Sequence, residues 1–208
     1  MFDYDSTLMR TLSKITDFVI LNVLTLIGCI PIVTIGVSLS AAHYTALKMR
    51  RDRDNYVFRN YIRGFKMNFK QGLAIWLIWL VVVGISVFAF TAYTGEGFQV
   101  FLKGVVLAVL LMIAMMTMWL FPLQSKFINP VRITILNSFF FACKHLFRTL
   151  AMLLIVVLSS FIWMVGPRLF WIPILIGFST PIYLCAIIYD KVFLQLEEKI
   201  RNKQKGEE

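Results

Sequence analysis

Charged side chains are missing from five long stretches of this 208-residue sequence. The stretches are residues 18–47, 71–95, 104–125, 149–167 and 169–189. A helix needs about 20 mostly apolar residues to cross a bilayer, and each of these stretches has room for one. A water-soluble fold has no reason to segregate its charges in this way, so the pattern predicts a polytopic membrane protein.

Composition supports the same fold class. The chain is 59% hydrophobic and 15% charged, with a mean hydropathy of +0.78, whereas an average soluble domain is about half apolar and a quarter charged. We therefore expect an all-α transmembrane bundle of about five spans, with amphipathic cytoplasmic helices, that forms one integral membrane domain over residues 1–208.

The predicted boundaries follow the charge-free stretches. The spans are about 15–35, 73–93, 104–123, 149–165 and 169–189, joined by cytoplasmic connections 39–72 and 124–148 and followed by a cytoplasmic tail, 190–208. Residues 1–14 have the pattern of a short interfacial helix, although a poorly ordered terminus fits them as well. No signal-peptide cleavage pattern follows the first apolar run, which we therefore interpret as a permanent anchor.

The first span contains polar and helix-breaking residues. Asn22 needs a partner on another helix or a backbone carbonyl if it lies in hydrocarbon. Pro31 removes a helical hydrogen bond, and Gly36 permits a sharp turn or close packing. We interpret residues 15–35 as a full span, and a re-entrant segment is the alternative.

The distribution of Lys and Arg predicts the orientation. The two connections and the tail hold seventeen of the 21 basic residues, and cytoplasmic segments of membrane proteins are enriched in such residues. Five spans then place the C-terminus in the cytoplasm and the N-terminus outside, whereas a re-entrant first segment would place both termini inside. This bias also accounts for the net charge of +10, so nucleic acid is not an expected partner.

Residues 54–71 combine a basic and an aromatic stripe at helical spacing. The basic stripe comprises Arg59, Arg63, Lys66 and Lys70, and the stripe beside it includes Phe58, Phe65 and Phe69. The second connection repeats this character with Lys144 and Arg148. Such a surface suits anionic lipid headgroups or a partner protein; alternatively, the rings pack on the protein's own helices while the cations are solvated. We name all nine residues as a candidate partner or lipid interface.

The sequence offers little chemistry for an enzyme. No ionisable residue falls at the centre of a predicted span, where proton relays and ion-coupled carriers usually have one. His43 and His145 lack companions at metal-ligand spacing, and the three cysteines form no spaced framework. Phosphate-binding glycine loops and nucleophile motifs are also missing. We expect neither enzymatic activity nor a metal or cofactor.

Several sequence blocks together resemble a known family. The blocks are Asn22, the run Pro31-Ile-Val-Thr34-Ile-Gly36, Ala41-Ala42, Tyr56-Val-Phe58, Phe65-Lys-Met-Asn-Phe-Lys-Gln71, Pro122 and Asn137. They resemble the YesL-like family of small bacterial integral membrane proteins over nearly the whole chain. Within these blocks we treat Asn22, Pro31, Thr34, Gly36, Pro122 and Asn137 as the structural motif.

This resemblance implies a cellular context more than an activity. Members of that family are of unknown function, and their genes typically lie beside those of carbohydrate ABC importers. The resemblance therefore implies a multi-pass protein of the bacterial plasma membrane that is associated with oligosaccharide uptake. It supplies no catalytic residues.

Three functions follow as hypotheses. The first is an accessory subunit that packs on the permease subunits of a carbohydrate ABC importer, with the ATPase and solute-binding protein as further candidate partners. The chain lacks the alanine-rich loop by which importer permeases engage their ATPase, so it is not a core permease. The second is an autonomous carrier or channel for a small solute, and the third is a membrane-surface scaffold that binds anionic lipid.

Overall fold

A computed structural model describes residues 7–51, 56–92, 98–127, 129–161 and 177–206, and in these ranges all regular structure is helical. The helices are α1 (Thr7–Cys29), α2 (Ile35–Arg51), α3 (Val57–Ala92), α4 (Phe98–Lys126), α5 (Val131–Lys144), α6 (Leu146–Ser160) and α7 (Ser179–Gly206). A single 3₁₀ turn, Ile32–Thr34, lies between α1 and α2.

The α1–α2 turn is built from the predicted proline–glycine block. Pro31 has no N–H to continue a helix, and α1 ends shortly before it. The Thr34 hydroxyl donates to the carbonyl of Gly28 at 2.8 Å and to that of Pro31 at 2.9 Å. Trp76 of α3 donates its indole N–H to the carbonyl of Ile32 at 2.7 Å. Residues 15–35, expected as one span, are thus divided between α1, this turn and the first residue of α2.

Helix α2 runs antiparallel to both α1 and α3. The Ser38 hydroxyl donates to the carbonyl of Thr25 at 2.9 Å, so the chain folds back along α1 after the turn. Gly36, near the start of α2, lies beside Gly72 and Trp76 of α3, whereas Ala41, further along α2, lies beside Gly64. The two helices therefore run in opposite directions. Half of α2 is buried, and it contacts α1, α3, α4 and α7. Residues 39–51, expected to begin a cytoplasmic connection, therefore form the central helix of the bundle.

Glycines allow α2 to approach α3 closely. A Cβ atom on Gly36 would lie 2.5 Å from the Cβ of Trp76 and 3.1 Å from the carbonyl oxygen of Gly72. One on Gly64 would lie 3.2 Å from the Cα of Ala41. Only glycine leaves room for backbone contact at these two positions, as is usual in closely packed membrane helices.

Helices α3 and α4 form a long antiparallel pair. With 36 residues, α3 is roughly 54 Å long at 1.5 Å per residue. The indole N–H of Trp79 donates to the hydroxyl of Thr117 at 2.9 Å and joins the two helices. Pro122 lies inside α4, and its carbonyl accepts the hydroxyl of Ser125 at 2.8 Å.

Helices α5 and α6 are separated by a sharp bend of 99° at His145. The indole N–H of Trp119, which is fully buried on α4, donates to the hydroxyl of Thr149 on α6 at 2.8 Å. The Cys185 thiol of α7 lies 3.9 Å from the carbonyl oxygen of Met152. These contacts hold α6 between α4 and α7.

The side chain of Asn22 caps α7. Its carbonyl oxygen accepts the backbone N–H of Phe178 at 2.7 Å and that of Ser179 at 2.9 Å. Two of the N–H groups that every helix leaves unpaired at its first turn are satisfied in this way. Pro181 falls in that first turn, where its missing N–H costs nothing. The polar residue inside α1 thus has its partner on another helix.

Three of the described helices are long and apolar enough to cross a membrane. Their candidate spans are Leu12–Cys29, Val57–Thr91 and Val100–Lys126, and the bent α5–α6 pair is a fourth if it counts as one span. Large apolar side chains cover the exposed faces of these helices. The described part of the chain thus fits a multi-pass membrane protein with three to four spans, and the expected count of five is not reached. Residues 169–176 of the expected fifth span, 169–189, lie outside the described residues.

Candidate functional site

A cavity of about 950 Å³ lies where α2, α3 and the end of α4 meet. Its wall carries four lysines, namely Lys48, Lys66, Lys70 and Lys126. Four aromatic rings separate them, those of Tyr44, Phe65, Phe69 and Phe127. A concave site with a few converging polar groups among apolar side chains is the usual form of a ligand site.

Helical spacing brings these side chains to one place. Tyr44 and Lys48 are four residues apart on α2, and the pairs 65/69 and 66/70 have the same spacing on α3. Residues four apart lie on one face of a helix, one turn above the other. The antiparallel packing of α2 on α3 sets the two faces beside each other, and α4 closes the cavity with its last turn.

The lysines give the cavity an excess of positive charge. Lys126 lies 3.0 Å from a carboxylate oxygen of Glu197 on α7. Lys66 and Lys70 are exposed and make no ion pair with any residue that the structure describes. Cations along low-dielectric walls attract anions, and these two ammonium groups are available to one.

Gln124 lines the same cavity and carries an unpaired donor. Its side chain is only 2% exposed, and its carbonyl oxygen accepts the hydroxyl of Ser40 at 3.0 Å. Its amide nitrogen has no acceptor among the described residues. Leaving a buried donor unpaired costs about 1–3 kcal/mol, so an acceptor that reaches this nitrogen would be bound favourably.

A charge network lies directly behind Lys126. Asp190, whose side chain is 5% exposed, accepts the Nε–H of Arg50 at 2.8 Å and that of Arg51 at 2.6 Å. Arg51 also reaches both oxygens of Glu197 at 3.0 Å. Helices α2, α4 and α7 are therefore joined by ion pairs at one end of the bundle.

The ion pairs with Lys126 and Arg51 lower the pKa of Glu197. Desolvation alone would raise the pKa of Glu197, but its hydrogen bonds to Lys126 and Arg51 outweigh it, and the pKa is lowered. The carboxylate therefore remains charged at neutral pH and holds Lys126 at the cavity wall.

His43 lies on α2 against Tyr189 of α7. Its Nδ1 is 3.3 Å from the hydroxyl of Tyr189, which also reaches the His43 carbonyl at 3.4 Å. Burial lowers the pKa of His43 to about 3, because an imidazolium loses its hydration there. The imidazole is neutral at physiological pH.

A second cavity of about 240 Å³ lies between α3 and α4, with Ile135 of α5 at its edge. Its lining is almost wholly apolar and includes Ile78, Val82, Met112 and Met116. No ionisable side chain from the described part of the chain lines it, so it suits an acyl chain or an apolar side chain of a neighbouring helix.

The expected interface residues fall into separate places. Lys66, Lys70, Phe65 and Phe69 line the large cavity, and Phe65 also packs on Tyr61. The other three residues of the two stripes, Phe58, Arg59 and Arg63, are exposed on α3 outside the cavity. Helical spacing predicted that all seven lie in two adjacent stripes. Because α2 and α4 pack on only part of α3, four of them line the cavity and three do not.

The two expected residues of the second connection lie apart from the cavity. Lys144 is exposed at the end of α5, and Arg148 is half-buried in the first turn of α6. One Nη atom of Arg148 is enclosed without an acceptor among the described residues. Asn137, from the expected structural motif, is half-buried on α5.

Several site residues were not expected from the sequence. Gln124 and Lys126 follow Pro122 directly, where they had the appearance of a polar helix end. Asp190 and Glu197 had been assigned to a charged tail, although their spacing of seven residues places them on one face of a helix. From that spacing, the sequence could have predicted that both carboxylates face the same neighbouring helix.

No group of three His, Cys, Asp or Glu side chains is close enough to hold a metal ion in the part of the chain that the structure describes.

Residues 18–90 match a family model described as "Protein of unknown function, DUF624". The matched stretch is about a third of the chain and includes Asn22, the Pro31–Gly36 turn and the cavity residues of α2 and α3. This stretch of the chain is similar to that family. Comparison with curated proteins and with solved structures gave no match.

Proposed function

We propose that this chain is a non-enzymatic accessory subunit of a bacterial carbohydrate ABC importer, located in the plasma membrane and packed on the permease subunits. The sequence blocks shared with the YesL-like family suggest the importer. The DUF624 match covers several of the same blocks, and we extend that family assignment to the whole chain. The ATPase and the solute-binding protein are further partners in this proposal.

The observation that carries the proposal is the apolar outer surface of α3 and α4. Between the two helices lies the apolar cavity of about 240 Å³. Gly84 is exposed on α3, and a Cβ atom added there would meet nothing within 4 Å. By contrast, the space beside Gly28 and Gly36 is already filled by other residues of this chain. A small residue that the chain's own helices leave open is suited to close contact with a helix of another protein.

The fold also bears on the orientation in the membrane. Because α1 and α2 run antiparallel, the start of α1 lies at the same end of the bundle as the arginines that end α2. We therefore favour the arrangement with both termini in the cytoplasm over an external N-terminus. Arg10 and Lys14 then join the basic side, which raises its share to nineteen of the 21 basic residues and fits the positive-inside rule better.

Purification from the native cell in a mild detergent, followed by mass spectrometry, tests the importer association. We expect two importer permeases and an ATPase to be recovered with the tagged chain in near-equal amounts. Recovery of this chain alone as a defined oligomer would overturn the proposal. It would instead favour an autonomous small-solute carrier or channel, for which solute flux in liposomes is the next measurement.

A pair of variants locates the contact. Gly84→Leu places a bulky side chain on the open face of α3, and we expect it to reduce permease recovery at least about fivefold, since overpacking disrupts close helix contacts. Gly104→Leu makes the same change on α4, where a Cβ atom on this exposed glycine also meets nothing within 4 Å, so a loss of recovery there as well would place α4 in the contact. Undiminished recovery from Gly84→Leu would place the permease contact away from the open face of α3.

A further inference from the structure

We propose that the lysine-lined cavity between α2, α3 and α4 binds a phosphate group, carried either by a lipid headgroup or by a soluble phosphate ester. The inference goes beyond the importer association and does not depend on it, because the site lies entirely within this chain.

The cavity carries an excess of positive charge. Three helices each contribute lysine to its wall, and the lysine of α4, Lys126, is paired with Glu197. Lys66 and Lys70 have no carboxylate partner among the described residues. Ammonium groups are common phosphate ligands, and their hydrogen bonds to an anion are stronger than those between neutral groups.

The buried amide of Gln124 offers a further donor to an anion. Its oxygen is fixed by Ser40, so the amide nitrogen is oriented as a donor, and it lacks an acceptor in the described structure. Phosphate is an acceptor at every oxygen in its fully ionised form. An anion that reaches both the lysines and this amide would satisfy a buried polar atom of the cavity wall that the described residues leave unpaired.

The cavity wall also has an apolar part that suits a lipid. Phe65, Phe69 and Phe127 lie beside the lysines, and α3 continues from the cavity into an apolar helix. A headgroup among the lysines can therefore have its acyl chains along α3. At about 950 Å³ the cavity is also large enough for a soluble ester of drug-like size. The shared element in both cases is the phosphate.

Binding to the purified chain in a neutral detergent tests the site. Dioctanoyl phosphatidylglycerol is titrated by native mass spectrometry, with dioctanoylglycerol as the lipid that lacks phosphate. Inorganic phosphate and glycerol 3-phosphate are titrated by calorimetry at constant ionic strength. We expect saturable binding by at least one phosphate-containing probe and none by dioctanoylglycerol. Binding confined to the lipid arm identifies a headgroup, and binding in the soluble arm identifies a phosphate ester.

The chain provides a matched control on the same helix. Lys66→Gln with Lys70→Gln removes two charges from the cavity, whereas Arg59→Gln with Arg63→Gln removes two charges from the same stripe outside it. We expect the lysine pair to weaken binding roughly tenfold or more, as the loss of a charge-assisted hydrogen bond does, and the arginine pair to change it less than about twofold, as for screened surface charges.

Gln124→Glu tests the amide separately. The carboxylate still accepts the hydroxyl of Ser40, but it offers no N–H donor and repels an anion, so we expect binding to weaken at neutral pH. All variants must retain the elution volume and melting temperature of the unaltered protein for their affinities to be compared. Saturable binding by no probe, or equal losses in the lysine and arginine pairs, would overturn the proposal.

Discussion

Single polar residues determine which helices of this fold pack against each other. Asn22 accepts two backbone N–H groups of the first turn of α7. Ser38 donates to α1 and also lies 2.8 Å from the hydroxyl of Tyr61 on α3. Hydrogen bonds of this kind fix which helix faces which, because hydrocarbon on all sides gives apolar faces little preference.

His43 makes the stability of the protein sensitive to acid. Its pKa is about 3 in the folded chain and about 6.5 when unfolded, so between these values the unfolded state binds more protons. Stability is then lost as the pH falls from about 6.5 towards 3, by at most about 1.4 kcal/mol per pH unit. We expect the melting temperature in detergent to drop between pH 7 and pH 5.

His43→Gln removes this titration while keeping a polar side chain near Tyr189. We expect the melting temperature of the variant to vary less over the same range, with His145 unchanged in both proteins. Glu197 does not interfere, because its lowered pKa moves its contribution to more acidic conditions, where stability is lost below its ordinary value of about 4.3. An equally steep decline in both proteins would show that His43 does not control it.

At the scale of helices, close backbone approach between α2 and α3 determines the architecture. Gly36→Ala would force a Cβ atom against Trp76 and the backbone of Gly72, and we expect a loss of about 1–3 kcal/mol in stability, as for overpacked cores. Gly84→Ala is the matched control on α3: it meets nothing and should be neutral or gain up to about 1 kcal/mol from helix propensity. Thermal unfolding of both variants in the same detergent would separate the effects, and equal stabilities would show that the α2–α3 interface tolerates a methyl group.

The apolar helices were the most predictable elements, and α2 was the least. Long charge-free runs identify α3 and α4 because bilayer thickness imposes a minimum length. Residues such as Ser38, Ser40, Ala41 and Thr45 have the composition of a connection, yet all are buried in α2. Their small size is what permits close packing, and small size gives no hydrophobic periodicity to detect.

The cavity was only partly predictable for a similar reason. Its α3 residues stood out by their spacing within one helix. Lys48 and Gln124 come from other helices, and no local pattern connects residues that meet only through tertiary packing. Asp190 and Glu197 were expected in the cytoplasmic tail, and nothing local pointed to their partners, because Arg50 and Arg51 are distant in the sequence.

At the scale of the whole molecule, the direction of α1 leads to a prediction about topology. If α1 and α2 fold back within the membrane boundary, a reporter at the N-terminus faces the cytoplasm. We expect an N-terminal green fluorescent protein fusion to fluoresce and a short N-terminal epitope tag to be protected from antibody in intact spheroplasts. C-terminal fusions and tags provide the control, since the basic tail predicts the cytoplasm for them as well. An N-terminal tag that antibody reaches in intact spheroplasts would restore the arrangement of a full first span.

The cap on α7 also has a consequence for biogenesis. Asn22 emerges from the ribosome early, whereas Phe178 and Ser179, the residues whose N–H groups it accepts, are 156 and 157 positions away. At about 5–20 residues per second, synthesis of the intervening chain takes roughly ten to thirty seconds. During that interval α1 has no α7 to dock with, so the nascent protein must shelter its first helix in the translocon or in lipid. Helix α1 therefore completes its packing only when α7 has been synthesised.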